Sequence, residues 1–243
     1  MTNATPKQML ALRPPLHGRP SPNAWSSTMY AIPDTRLPLP QVLDQYTSGT
    51  PHRRNHVNDF LLVPMEVERF NQVLTRLGRT RPPLEADQLA SAARHLNDRA
   101  EADTPSPCIQ QRMQHARLLE QMLGDPDWEP AAETVTEIRH VVAYLQESRQ
   151  LIPDTVPGIG QLDQAIVIDT VWPKLVIEVT NFLDYQRLRR REAERQGRGY
   201  EEIAFNRRCW LEQREIEARL HEHQRRVREG SYAPEPLSYF RVH

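Results

Sequence analysis

Between two segments of helical pattern lies Leu151–Ile168, LIPDTVPGIGQLDQAIVI, which carries Pro153, Pro157, Gly158 and Gly160. Proline fixes φ, lacks an N–H and biases the preceding residue away from the helical region, so the chain must turn here. Before these prolines and glycines, Val135, Ile138, Val141, Val142 and Leu145 form a stripe, and after them Leu162, Ile166, Val176, Val179 and Leu183 form another. Helix, Pro/Gly corner and helix together describe an αα-hairpin. Asp163 stands where the second helix starts, placed to cap its amides or complement its dipole, and Asp154 suits a similar role in the turn.

The same three- and four-residue spacing predicts earlier helices. One begins at Pro64 with Val67, Phe70, Leu74 and Leu77 on a face and stops at Gly78. Another runs from Leu84 with Leu89, Ala92, Ala93 and Leu96, and a third from near Cys108 to Gly124. Pro130 opens the helix before the corner, while Pro173 is placed to bend the long helix after it. QGRG from Gln196 interrupts that helix, and a last amphipathic helix follows over roughly Tyr200–Glu229. Alternating β-branched runs are nearly absent, so the class is all-α. The expected architecture is a helical bundle with a Pro/Gly-cornered hairpin, an extended N-terminal arm and a long charged C-terminal helix.

Nine of the 21 prolines fall in the first 51 residues, which makes the arm extended rather than helical. Trp25 and Tyr30 give it apolar anchors. The division is 1–60 for the arm, 61–127 for the N-terminal helices, 128–196 for the hairpin region and 197–243 for the charged helix and tail. The arm is expected to be dispensable for folding, so that a chain starting near Asn58 stays helical.

The formal net charge of −1 conceals an asymmetry. From Glu120 to Asp184 there are twelve acidic residues and three basic ones, whereas Arg187 to Arg228 holds thirteen arginines and eight glutamates. Acidic helices covered by a basic one would account for this, ahead of contact with nucleic acid or an anionic membrane. Cys108 and Cys209 are too few and too far apart for a disulfide scaffold. The N-terminus lacks the apolar run of a signal peptide, and charges at Asp169, Lys174 and Glu178 interrupt the most apolar segment.

The run AYLQESRQLIPDTVPGIGQLDQAIVI resembles the YkvA-like family of helical domains of unknown function. The resemblance rests on Tyr144, Leu151, Ile152, Pro153, Asp154, Pro157, Gly160, Leu162, Asp163, Ala165 and Val167. It covers about a quarter of the chain, implies a small helical module sometimes associated with membranes, and brings no established reaction with it. Gln150 and Gln164 stand where the family carries acidic residues. Their loss weakens a divalent-cation site at Asp154 and Asp163, because hard cations favour several oxygen ligands.

Other constellations carry less chemistry. His221 and His223, two apart on a helix, do not share a face, and His52 and His56 lie in a Pro-rich context. GIG lacks the strand and helix of a nucleotide fingerprint, and Cys108 has no identifiable His partner. No catalytic, cofactor-binding or metal-ligating residue is assigned and no cofactor is expected. Ile152, Pro153, Asp154, Pro157, Gly160, Leu162 and Asp163 form the motif. Trp172, Arg187, Arg189, Arg190 and Arg191 make a candidate binding surface. The expectation is a non-catalytic regulatory or adaptor protein of the bacterial cytoplasm that binds a protein partner. The first alternative is a helical module peripheral to the inner membrane, and the second a metal-dependent enzyme or nucleic-acid-binding protein. Oligomeric state is left open.

Overall fold

A computed structural model describes residues 36–45, 54–98, 105–147 and 149–231. Among these residues are six α-helices: α1 Pro64–Arg76, α2 Ala86–Asn97, α3 Pro107–Gly124, α4 Ala132–Gln146, α5 Leu162–Gln196 and α6 Arg207–Ser231. The protein is all-α, as its periodicity predicts. Pro64 and Pro107 occupy first-turn positions, where a missing N–H costs nothing because that group has no intrahelical partner.

At the centre lies α5, 35 residues long, with α3 and α4 packed along it and against each other. Residues 162–168 are buried without interruption. A helix enclosed on every face must be surrounded by other elements rather than lie on a surface. The α5 helix continues through Pro173, which leaves the carbonyl of Asp169 without its usual donor. On the flank, α1 lies against α4, with the Phe70 and Tyr144 rings 5.8 Å apart. The four-residue spacing of Phe70 and Leu74, both buried, puts them on this inner side.

Three sequence expectations need correction. His56–Val57 and Phe60–Leu61 form a two-residue antiparallel hairpin, closed by Asn58 at φ 51°. So short a pair shows no alternation to read, and it forms because Val57 is buried. The C-terminal helix starts at Arg207 rather than Tyr200; Tyr200–Glu202 is a separate 3-10 turn. Buried Ile203 anchors the extended link, and Asn206 Oδ1 accepts the Cys209 N–H at 3.1 Å, which sets the helix start.

Finally, the described parts of the arm are integrated into the core. Leu43 and Val57 are buried, and Gln88 Nε2 donates to the carbonyl of Gln45 at 2.8 Å. Arg36 reaches Asp169 at 3.2 Å, and the Leu37 N–H donates to Gln111 Oε1 at 2.9 Å. Trp25 and Tyr30 lie outside the described residues. Each buried aliphatic lost exposes a partner surface at about 1.5–3 kcal/mol. A chain beginning at Asn58 should therefore melt well below the full chain in a circular-dichroism scan. An unchanged melting temperature would show that Leu43 and Val57 add nothing to the core.

Candidate functional site

The corner between α4 and α5 is built around one carboxylate. Asp163, in the first turn of α5, is fully buried, and its Oδ2 accepts three hydrogen bonds. The donors are the Tyr144 hydroxyl at 2.7 Å, the Leu151 N–H at 2.9 Å and the Ile152 N–H at 3.3 Å. Asp163 thus ties α4 and the start of the corner to α5; the N-cap position itself belongs to Gln161, which makes no side-chain cap bond. Burial pushes the Asp163 carboxyl up to about 6, and the hydrogen bonds from Tyr144 and the backbone offset only part of that rise. The Tyr144 hydroxyl is also raised, first by burial and then by the Asp163 charge.

The tight turn depends on Gly160 through closeness rather than handedness. Its φ is not positive; the left-handed glycine of the corner is Gly158, at φ 76°. A Cβ on Gly160 would lie 2.7 Å from the Asp154 carbonyl carbon and 2.9 Å from its Cα, so backbone would have to move. Leu151, Ile152, Ile159 and Leu162 turn inward and are buried, while the Ser106 N–H donates to the Gly158 carbonyl at 3.3 Å and ties the corner to the start of α3. Pro153 is half-buried and Pro157 exposed, so their contribution is to backbone direction.

The two motif aspartates do not converge. Asp154 is exposed, and its Oδ1 accepts from Gln164 Nε2 at 3.0 Å. Burial raises its carboxyl, with the Gln164 bond opposing. Asp163 faces the opposite way, into the core. No cluster of three or more His, Cys, Asp or Glu suited to a metal ion occurs among the described residues.

The candidate surface on α5 needs two corrections. Trp172 is buried, with its ring stacked on His115 at 3.8 Å between centroids. Arg189 is only 4% exposed. It donates to the Tyr185 hydroxyl at 2.8 Å, pairs with Asp127 at 3.0 Å and lies over the Tyr200 ring. Arg187, Arg190 and Arg191 are exposed, with Arg187 bonded to Asp184 at 2.8 Å. No described helix is long and apolar enough to cross a membrane.

Acidic residues of α5 instead receive arginines from α6. Arg207 binds both oxygens of Glu178 and places its guanidinium 4.4 Å from the Trp128 ring centroid. Trp210 donates to Asp184 Oδ2 at 2.8 Å and meets Trp128 edge-on, while Arg214 approaches the same oxygen at 3.3 Å. Beyond this anchor the geometry changes. Every residue from 219 to 230 is exposed, and Ile216, Leu220 and Val227 are 59%, 53% and 53% exposed. These three aliphatics share a face by spacing, flanked by the ion pairs Glu215–Arg219 and Glu222–Arg226. Sequence reasoning read this helix as solvated and amphipathic but did not single out that stripe; its three- and four-residue spacing was the available signal.

No family model, curated protein or solved structure matches the chain.

Two outcomes follow for the corner. Gly160→Val should destabilise the protein by more than about 1 kcal/mol, because the added side chain meets backbone; an unchanged melting temperature would remove the close approach. Asp163 has its folded value raised above the ordinary 3.8. Its contribution is therefore complete below about pH 4 and is lost as pH rises through about 6. Denaturant midpoints should fall across that interval, and Asp163→Asn should flatten the fall. Equal slopes in both proteins would exclude Asp163 as the titrating group.

Proposed function

We propose that this protein works by binding another protein, as a regulatory or adaptor module, and that the outer half of α6 is the surface that meets the partner. The observation that carries this reading is the row of Ile216, Leu220 and Val227, each more than half exposed on a helix whose base is pinned. Large aliphatics aligned on a projecting helix fit the helix-mediated mode of protein recognition, in which spaced anchors enter an apolar surface. Trp210, Arg207 and Arg214 hold the base against α5, so the outer turns are presented in a fixed direction. The YkvA-like resemblance of the corner belongs to the same proposal, as the rigid helical scaffold that carries α6. So does a location in the bacterial cytoplasm.

Burial of Trp172 disfavours the membrane-surface alternative in the form that relied on α5. Separation of Asp154 from Asp163 likewise gives the metal-dependent alternative no paired site.

A photo-crosslinking amino acid introduced at Leu220 in cells of the native host tests the reading. It should capture a discrete protein band that the same group at exposed Arg139 does not. Absence of a crosslinked species at position 220 would end the proposal.

A further inference from the structure

The outer part of α6 has a more specific pattern than exposure alone. Gln213, Ile216, Leu220, His223 and Val227 follow alternating steps of three and four residues. That spacing produces a straight seam along one side of a helix when two helices wrap around each other. All five positions are exposed. The seam begins just beyond Trp210, the last residue of the helix that is buried among the described residues, and its three aliphatics are more than half exposed.

Charge is distributed unevenly along the seam. Residues 212–217 hold three glutamates and one arginine, whereas 219–228 hold four arginines and one glutamate. The first half is therefore acidic and the second half basic. A helix with this polarity is complementary to itself when reversed.

We infer that the partner of α6 is a second copy of this chain, paired through an antiparallel α6–α6 contact. This inference rests on the reading that α6 is the binding surface. Antiparallel packing sets Leu220 against His223 of the second copy and Ile216 against its Val227, with the same layers repeated by symmetry. In that register Glu212 lies beside Arg226 of the second copy, and the converse pair forms at the other end. The two Arg219 side chains meet at the centre, where each already carries Glu215 of its own helix. Parallel packing at the same seam would bring Glu212 beside Glu217 of the other chain twice, with no opposite charge supplied in return. The antiparallel direction is thus favoured by charge.

Forming the interface requires little rearrangement. Glu212 now bonds Arg208 at 3.0 Å, and Arg226 bonds Glu222 at 2.7 Å, on exposed side chains. Exposed pairs of this kind contribute little, so exchanging them for contacts across the seam is inexpensive. Three aliphatics per chain make a short apolar seam. The dimer is accordingly weak, dissociating in the micromolar range.

Sedimentation velocity of the full chain, over a concentration series through that range, should show a monomer–dimer equilibrium. Leu220→Glu should abolish the dimer. Glu212→Arg and Arg226→Glu should each weaken it by about tenfold, and the double exchange Glu212→Arg with Arg226→Glu should restore it. All these positions are exposed, so folding is not at stake; circular dichroism checks this. A monomer at every concentration, a dimer indifferent to Leu220→Glu, or tighter association on Glu212→Arg would each overturn the antiparallel pair. If the chain is monomeric while position 220 still crosslinks to a different protein, self-pairing fails and the adaptor reading stands. If neither is seen, both fail.

Discussion

Enclosure of the first two turns of α5 is the constraint on which the rest of the structure depends. Seven consecutive buried residues leave no face for solvent, so α3, α4 and the corner must all reach the same stretch of helix. A loose loop between α4 and α5 could not bring α4 back along α5 while keeping Leu151, Ile152 and Ile159 out of water. The corner is compact for that reason, and Gly160 is the point where its two strands of backbone nearly touch. Polar groups drawn into this interior need partners, because an unpaired buried charge costs several kcal/mol. Arg112 on α3 shows the solution: it is 2% exposed, bonds Asp169 of α5 at 2.7 Å and also donates to the Leu37 carbonyl.

A carboxylate at the corner is a compromise between two effects of comparable size. Pro153 keeps the backbone out of the helical pattern, so the Leu151 and Ile152 amides need an acceptor from elsewhere. Asp163 Oδ2 accepts both and the Tyr144 hydroxyl as well. Each such bond to a charged acceptor contributes about 1.5–3 kcal/mol, yet complete burial of the ion costs more than the bonds return. The carboxyl value near 6 records which effect wins. A neutral acceptor would avoid the desolvation, but would hold its three donors less firmly.

Much of the architecture was legible in the sequence because periodicity and proline placement act locally. The faces carrying Val67, Phe70 and Leu74, or Leu89 and Leu96, are buried as their spacing implies. The corner and the end of α5 near Gln196 were equally plain. Other features depend on distant partners. Arg189 reads as part of a solvated basic run, and only the meeting of α5 with the Asp125–Asp127 turn reveals it as a buried ion. Trp172 has the spacing of a core residue, but which of its sides is covered depends on His115 arriving from α3. At Gly160 the need is for space beside a backbone segment six residues earlier, which no local pattern announces. Leu43 and Val57 sit in proline-rich or very short elements that carry no period at all.

The charge asymmetry divides at about Arg214. On the inner side, arginines 189, 207 and 214 are matched to acids of α5 and of the turn before α4, in contacts that are largely shielded from solvent. On the outer side, the three pairs Glu215–Arg219, Glu222–Arg226 and Arg225–Glu229 are internal to α6 and exposed, as is Arg208–Glu212 near its start. Each i,i+4 pair contributes only about 0.3–0.5 kcal/mol. Isolated helices of this length are marginal in water, because most helical stability in proteins comes from packing an apolar face. The outer half of α6 has such a face, and its large aliphatics are more than half exposed among the described residues. With a partner docked there as proposed, helical order and docking would be linked: a surface covering Ile216, Leu220 and Val227 would supply the packing that the ion pairs cannot.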